Sequence, residues 1–254
     1  MRLKLTMVLG LLALVALAGC SGPDDEVAGD AAGTDGSREL VLHFQESEPG
    51  IDPYAVRMLV TPDFLRIDDG VDDGGFVLYD RSSRQIYSVS HEMRQILFIE
   101  HRDIGIEPPH ALVDEETLSS DPQAPTIGGR APMQVELTTN GELCHELVAV
   151  EGLLEEARLA LIEYHETLAG EQAVNLNKTP VEYQTDCMLS SLVFGATRYL
   201  DHGFPIQERS YNGYTRALVD YEEDAQLSPE LFVLPDYRRY SITPLEDAPA
   251  GESL

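Results

Sequence analysis

Between residues 39 and 100 the sequence passes every few residues from a short apolar run into a tight-turn signal, and this rhythm points to an antiparallel sheet. "ELVLHFQES" puts Leu40, Leu42 and Phe44 on one side and Val41, His43 and Gln45 on the other, the two-residue period of a half-buried strand. "FVLYD", "RQIYSVS" and "RQILFIEHR" follow, separated only by "RSS" and "HEM", spacers that favour tight hairpins. Asp80 at the head of Arg81-Ser82-Ser83 suits such a turn, because its carboxylate can bond its own backbone two residues on. "RMLVTPDFLRIDD" carries Pro62 and reads as a strand with a bend or at an edge. Five strands in one meander are expected, with one face packed.

Residues 103–132 hold Pro108, Pro109, Pro122, Pro125 and Pro132 and read as a long irregular loop, the kind that serves as a lid, a binding loop or a boundary. Strands resume at "MQVELTT", turn at Asn140-Gly141 and continue through "LCHELVAVEG", since Asn-Gly is a strong hairpin signal. The period then changes. Leu154, Ala157, Leu161, Tyr164 and Leu168 follow helical spacing, and Gly170 reads as the stop. Thr179-Pro180-Val181-Glu182 combines a capping box with proline at the first helical position, opening a second helix that runs past Cys187 and Tyr199 to His202-Gly203. "FPIQERSYNGYTRALVDYEED", again centred on Asn-Gly, and "ELFVLPDYRRYSIT" return to strands. Several strands, two helices and several strands give an α+β fold, with the two helices packed on one face of an antiparallel sheet.

Catalytic patterns fail on their spacing. His91-Glu92, His145-Glu146 and His165-Glu166 would each need a second histidine four residues after the first to place two zinc ligands on one helical face, and those places hold Gln95, Ala149 and Ala169. The three pairs therefore read as polar surface. "DDGVDDGG" misses the calcium-loop pattern at its third and twelfth places, Val71 and Asp80. Ser82 and Ser83 lack a nucleophile elbow, and Ser190-Ser191 reads as helix packing. No catalytic residue, metal or cofactor is expected, and the chain is read as non-enzymatic. Aromatic side chains such as Tyr79, Tyr164 and Tyr199 read as core filling, or as the lining of a groove between sheet and helices.

The first nineteen residues have a different logic. Arg2 and Lys4 precede an apolar run from Leu5 to Ala18, too short to span a bilayer, which needs about 20 residues, and laid out as a secretory leader. Leu17-Ala18-Gly19-Cys20 resembles the lipobox of bacterial lipoproteins. In that family the leader is cut before the cysteine, whose sulfur and new amino group are acylated, so the resemblance makes Cys20 a lipid anchor. Several acyl chains at roughly 0.8 kcal/mol per buried CH2 hold firmly where one is marginal. Ser21 in place of Asp implies, by the same resemblance, the periplasmic face of the outer membrane. Residues 22–37, rich in Gly, Asp and Ala, form a tether of about 20–24 Å typical span. With Cys20 taken by lipid, Cys144 and Cys187 remain, an even pair in an oxidising compartment and therefore an expected disulfide.

The chain carries 45 acidic against 17 basic residues, a net charge of −28, and only Lys4 and Lys178 are lysines. Such a surface repels phosphate polyanions and excludes nucleic acid. It also disfavours anionic headgroups, which leaves the acyl chains as the membrane attachment. The body, residues 38–243, is expected as one domain between the tether and an acidic tail, 244–254.

The stretches "LRIDDG…FVLYDRSSRQIYSVSHEMRQILFIE", "GELCHELVAVEG" and "GFPIQE…LFVLPDYRRY" give a lipoprotein body with a late pair of helices inside an antiparallel sheet. This pattern resembles the half-barrel of the lipoprotein localisation factor superfamily and related envelope lipoproteins. The resemblance implies a curved sheet enclosing an apolar cavity, and hence a lipid or acylated ligand between sheet and helices. The acidity and the proline-rich segment depart from that pattern. An envelope interaction or structural module with a filled core, meeting a protein partner, stays open beside it.

Overall fold

The computed structural model describes residues 38–241 except 72 and 177. The leader, Cys20, the tether and the acidic tail lie outside the described residues. Twelve strands make one open sheet: β1 (Leu40–Ser47), β2 (Tyr54–Val60), β3 (Phe64–Asp68), β4 (Phe76–Asp80), β5 (Gln85–Ser90), β6 (Gln95–Glu100), β7 (Asp114–Ser119), β8 (Pro132–Thr139), β9 (Glu142–Val150), β10 (Phe204–Ser210), β11 (Thr215–Glu223) and β12 (Arg238–Ser241). Their order is β12-β6-β5-β4-β3-β2-β1-β11-β10-β9-β8-β7. Among the described residues every strand pairing is antiparallel except that of β12 with β6. The fold is thus mostly sheet. Two helices accompany it, α1 (Glu155–Leu176) and a single turn, α2 (Asp186–Leu189).

Turn chemistry sets the first half. Asp80 Oδ1 accepts from the amides of Ser82 and Ser83 at 3.0 and 3.1 Å, as its position in the sequence suggests. The stretch around Pro62 corrects the expectation of one bent strand. It is a hairpin, β2–β3, in which Thr61 Oγ1 accepts from the amides of Asp63 and Phe64, so the first meander has six strands.

Both faces of β2–β6 are covered. On one, Leu40, Leu42, Phe44, Met58, Leu65 and Tyr79 pack with Ala157, Ala160 and Leu161 of α1. On the other, Leu59, Phe76, Leu78 and Ile96 pack beneath Phe232. The stretch "ELFVLPDYRRYSIT", described as far as Ser241, was expected as a strand, and its Leu231, Phe232, Leu234 and Tyr237 cover this second face. Pro229–Phe232 is instead a 3-10 turn, and among the described residues of the stretch only Arg238–Ser241 pairs in the sheet. An ion-paired cluster fastens this strap. Asp68, fully buried, takes Arg57 Nε at 2.9 Å and Arg66 Nε at 2.7 Å. Arg66 lies 4.0 Å over the Phe76 ring and donates to the Leu231 carbonyl. Burial alone would raise the Asp68 carboxyl; the bonds from Arg57, Arg66 and the Gly70 amide outweigh it and hold it below the usual range.

Helix α1 does not stop at Gly170. It continues to Leu176, where Gln184 Nε2 caps the carbonyls of Leu176 and Thr179. Gly170 is there for contact: a Cβ on it would sit 2.1 Å from the Arg102 carbonyl oxygen. Because the obstacle is backbone, Gly170→Ala is expected to cost about 2–3 kcal/mol, read by urea unfolding. A loss below 0.5 kcal/mol would mean that the helix and residue 102 can part freely.

The second helix differs most from expectation. Residues 179–202 form a 3-10 turn (Val181–Tyr183), α2, a π turn (Ser190–Phe194) and another 3-10 turn (Arg198–Leu200). The cap is Thr185, whose side chain accepts from the Met188 amide, rather than Thr179. Cys187 in α2 is bonded to Cys144 in β9, as the cysteine count suggests. A β-bulge puts Cys144 between the pairs Thr138↔Leu143 and Leu137↔His145, leaving it without a partner on β8. The proline-rich segment 103–132 also holds more order than a loop. It contains edge strand β7, exposed along its length and pinned through Asp114, which takes Thr139 Oγ1 at 2.7 Å, Arg198 Nη1 at 2.8 Å and Ser190 Oγ at 3.1 Å.

Candidate functional site

The segment 186–200 roofs a cavity of about 270 Å³ whose floor is the inner side of β8–β11. Its charged wall begins with hairpin β10–β11. A three-residue loop, Tyr211-Asn212-Gly213, closes on the Gly213 amide donating to the Ser210 carbonyl, with Gly213 at φ +85°, a backbone only glycine adopts readily. This loop sets Glu208 directly opposite Arg216, both on the side of Phe204 and Leu218.

Arg216 Nε stands 2.7 Å from Glu208 Oε1, and His145 Nε2 3.3 Å from Glu208 Oε2; the side chains of Arg216, Glu208 and His145 are 10%, 5% and 13% exposed. The Arg216 guanidinium also lies 4.9 Å over the Phe44 ring. From the roof, Tyr199 stacks on His145 at 5.4 Å, and His165 of α1 meets the Tyr199 ring edge-on at 5.3 Å. Leu137, Leu192 and Ala196 complete the wall as apolar surface. Arg216 Nε and Nη2 are both buried without a hydrogen bond of regular geometry, and the Tyr199 hydroxyl lies beside the guanidinium.

Burial would raise the Glu208 carboxyl, but the Arg216 charge and the His145 bond hold it below its usual range. Burial lowers Arg216, and the Glu208 charge more than compensates, so the guanidinium stays protonated. Burial raises Glu46 and Tyr214 beside them. His165 is pushed down to about 4 by burial and by Arg216. In the folded chain it is neutral at pH 5, whereas the unfolded chain binds a proton there. Its share of the stability is therefore whole above the unfolded pKa near 6.5 and declines as pH falls from there toward 4. Between pH 7 and pH 5 it amounts to about 2 kcal/mol. Urea unfolding at both pH values should show His165→Gln losing less stability than wild type on acidification, and equal losses would refute the assignment.

Two of the three His-Glu pairs read as polar surface thus contribute histidines to this wall, since β9 turns His145 inward and α1 carries His165 under the roof. Cys144 and Cys187 join floor and roof. Glu208 and Arg216 were not singled out from sequence, although Glu208 keeps the alternation of Phe204 and Ile206. Among the described residues no group of His, Cys, Asp and Glu is arranged to hold a metal ion. On the opposite face an open hollow of about 660 Å³ is lined by solvent-facing side chains including Gln45, Glu136, Gln207 and Arg209.

No family model matches the sequence, and no curated protein matches it. Among solved structures the chain is similar to PNGF-II in its C2 and P21 crystal forms, at 8% identity in each. The TM-scores are 0.40 and 0.37, with 81% of this chain covered. The chain spans about a third of the PNGF-II chains it matches, 31% and 32%.

Proposed function

We propose that the chain is a lipid-anchored, non-enzymatic binding protein of the cell envelope that takes a compact ligand beneath the 186–200 roof. The observation that carries this reading is a cavity lined by a buried ion pair, Arg216 with Glu208, and by the apolar side chains of Leu137, Leu192 and Ala196. A buried ion pair adds little net stability, so its retention beside a cavity favours a binding role. The leader and the lipobox-like Leu17-Ala18-Gly19-Cys20 support the envelope and the anchor. An open antiparallel sheet carrying helices on one face accords with the half-barrel resemblance, but the space between α1 and the sheet is filled by side chains. At about 270 Å³ the cavity lies just below the usual ligand-pocket range of about 300–1,000 Å³, which favours a compact ligand over an acyl chain.

Full-length protein extracted in detergent from cells fed an alkyne fatty acid tests both parts. Label on wild type and none on Cys20→Ser supports the anchor, and a copurified mass in native mass spectrometry supports the cavity. An unlabelled wild-type chain retained in the cytoplasm would defeat the first, and a clean apo mass would count against the second.

The filled interior also favours a second reading, an envelope interaction module. Strand β7 then offers its exposed acidic edge, Asp114-Glu115-Glu116, to an added strand of a protein partner. Crosslinking in cells that recovers no partner would argue against it.

A further inference from the structure

The two ends of the open sheet carry opposite charge. One end is β7, exposed along its length, with Asp114, Glu115 and Glu116 in a row. The other is β12, equally exposed, with Arg238 and Arg239 side by side in a chain of net charge −28. Arg238 donates to the Tyr240 hydroxyl at 3.4 Å and Arg239 lies 5.7 Å over the Tyr87 ring. Among the described residues neither guanidinium is matched to a carboxylate. On β7, Asp114 and Glu116 hold Arg198 and His202, which leaves Glu115 as the unmatched acid. Charges on edge strands commonly keep copies apart, but that works only where both edges carry the same sign. Here β7 repels a second β7 and β12 repels a second β12, whereas β7 attracts β12.

Strand direction and side-chain facing agree with that pairing. Ten antiparallel steps lead from β6 to β7, so β7 runs as β6 does, and so does β12, its parallel neighbour. A β12 laid along the β7 of another copy in the same sense makes a parallel pair. Glu115 lies opposite Thr138, on the sheet face away from the core residues Val135 and Leu137. Arg239 aligns with Ile96, on the face packed beneath Phe232. Both side chains thus occupy the face turned away from α1, as partners in one continuous sheet must. Backbone groups are available as well. Val113 gives its carbonyl to the Asn140 amide, so the amides and carbonyls of Asp114 and Glu116 point away from β8.

We infer that β7 and β12 are the two halves of one self-interface, in which a second copy of this chain adds its β12 to β7 in parallel, Arg239 opposite Glu115. This rests on the second reading above, of β7 as an interaction edge, and names its partner. Backbone bonds supply the attraction common to any added strand, and the charges select partner and register. Because the two surfaces differ, the contact is head-to-tail and leaves a free edge at each end. Association therefore continues past two copies unless a ring closes.

Sedimentation velocity of the full chain, in detergent with micelles in excess, tests this with wild type, Glu115→Arg, Arg239→Glu and an equal mixture of the two variants. Wild type is expected to grow past two copies as its concentration rises, and to shrink with added salt. Each variant alone should associate about tenfold more weakly, since like charges then face each other. The mixture should recover, because Glu115 of one variant still meets Arg239 of the other and the reversed pair meets as well. Recovery also shows that both variants fold. Wild type at single-copy mass, variants that associate as wild type does, or a mixture that stays weak would each overturn the inference. Crosslinking in cells through β7 separates that failure from failure of the reading beneath it. Capture of a protein other than this chain keeps the reading, and capture of nothing ends both.

Discussion

Glu208→Gln is expected to lower the unfolding free energy by about 3–5 kcal/mol, the cost of leaving one member of a buried ion pair without its counter-charge. The Arg216 side chain is 10% exposed and the Glu208 side chain 5%, so water cannot repair the loss. Removing both charges together tells a different story. Glu208→Leu combined with Arg216→Met keeps the bulk and leaves no orphaned ion, and should recover to within roughly 1 kcal/mol of wild type. The pair is then not there for stability. A double variant as damaged as Glu208→Gln would show instead that the ion pair itself holds β10 and β11 together. Urea unfolding of the three proteins at pH 7 decides it.

Cys144→Ser with Cys187→Ser is expected to cost about 4 kcal/mol. The bridge spans 43 residues of sequence, and the loop-closure account of disulfide stabilisation gives that figure for such a loop. The loss should also be localised. Cys187 belongs to α2 at the start of the roof, so hydrogen exchange should speed up first at Cys187–Leu200, ahead of the β1–β5 core. Reduction of wild type should reproduce this pattern. Uniform acceleration across the sheet would mean that the bridge supports the whole body.

The parts of the fold that local chemistry dictates could be read from the sequence, and those that depend on distant packing could not. Asn140-Gly141, both with positive φ, closes β8–β9 as a two-residue turn, and the Leu40-Leu42-Phe44 alternation lies in the core as its period requires. Thr61-Pro62-Asp63 was misread because proline weakens a strand and also favours a turn, and the serine-threonine turn at Thr61 decides between them. Gly170 looks like a helix stop by residue type alone; only the approach of Arg102 reveals why a side chain is excluded. The second helix breaks where the side chains of Ser190 and Arg198 are drawn to Asp114 of β7 and Cys187 is tied to Cys144 of β9, partners that lie far away in the sequence. The site depended on a register. With a two-residue turn at Asn212-Gly213, Glu208 would oppose Ala217 and the ion pair would not form; the three-residue loop shifts the pairing by one and turns Arg216 inward.

Strand β1 lies in the middle of the sheet, between β2 and β11. A chain emerging amino end first can zip β1 through β6 as neighbours, but the other flank of β1 must wait for β11, more than 170 residues later. Until then β1 is an edge strand, with a row of free amides and carbonyls along the flank that β11 will fill. Assembly therefore turns on a late, long-distance seam, and its slowness leaves the nascent chain open to mispairing with its neighbours. The bulge at Val219, between Asp220 opposite His43 and Leu218 opposite Phe44, sits on that seam and fixes the one alignment in which Arg216 lands beside Phe44.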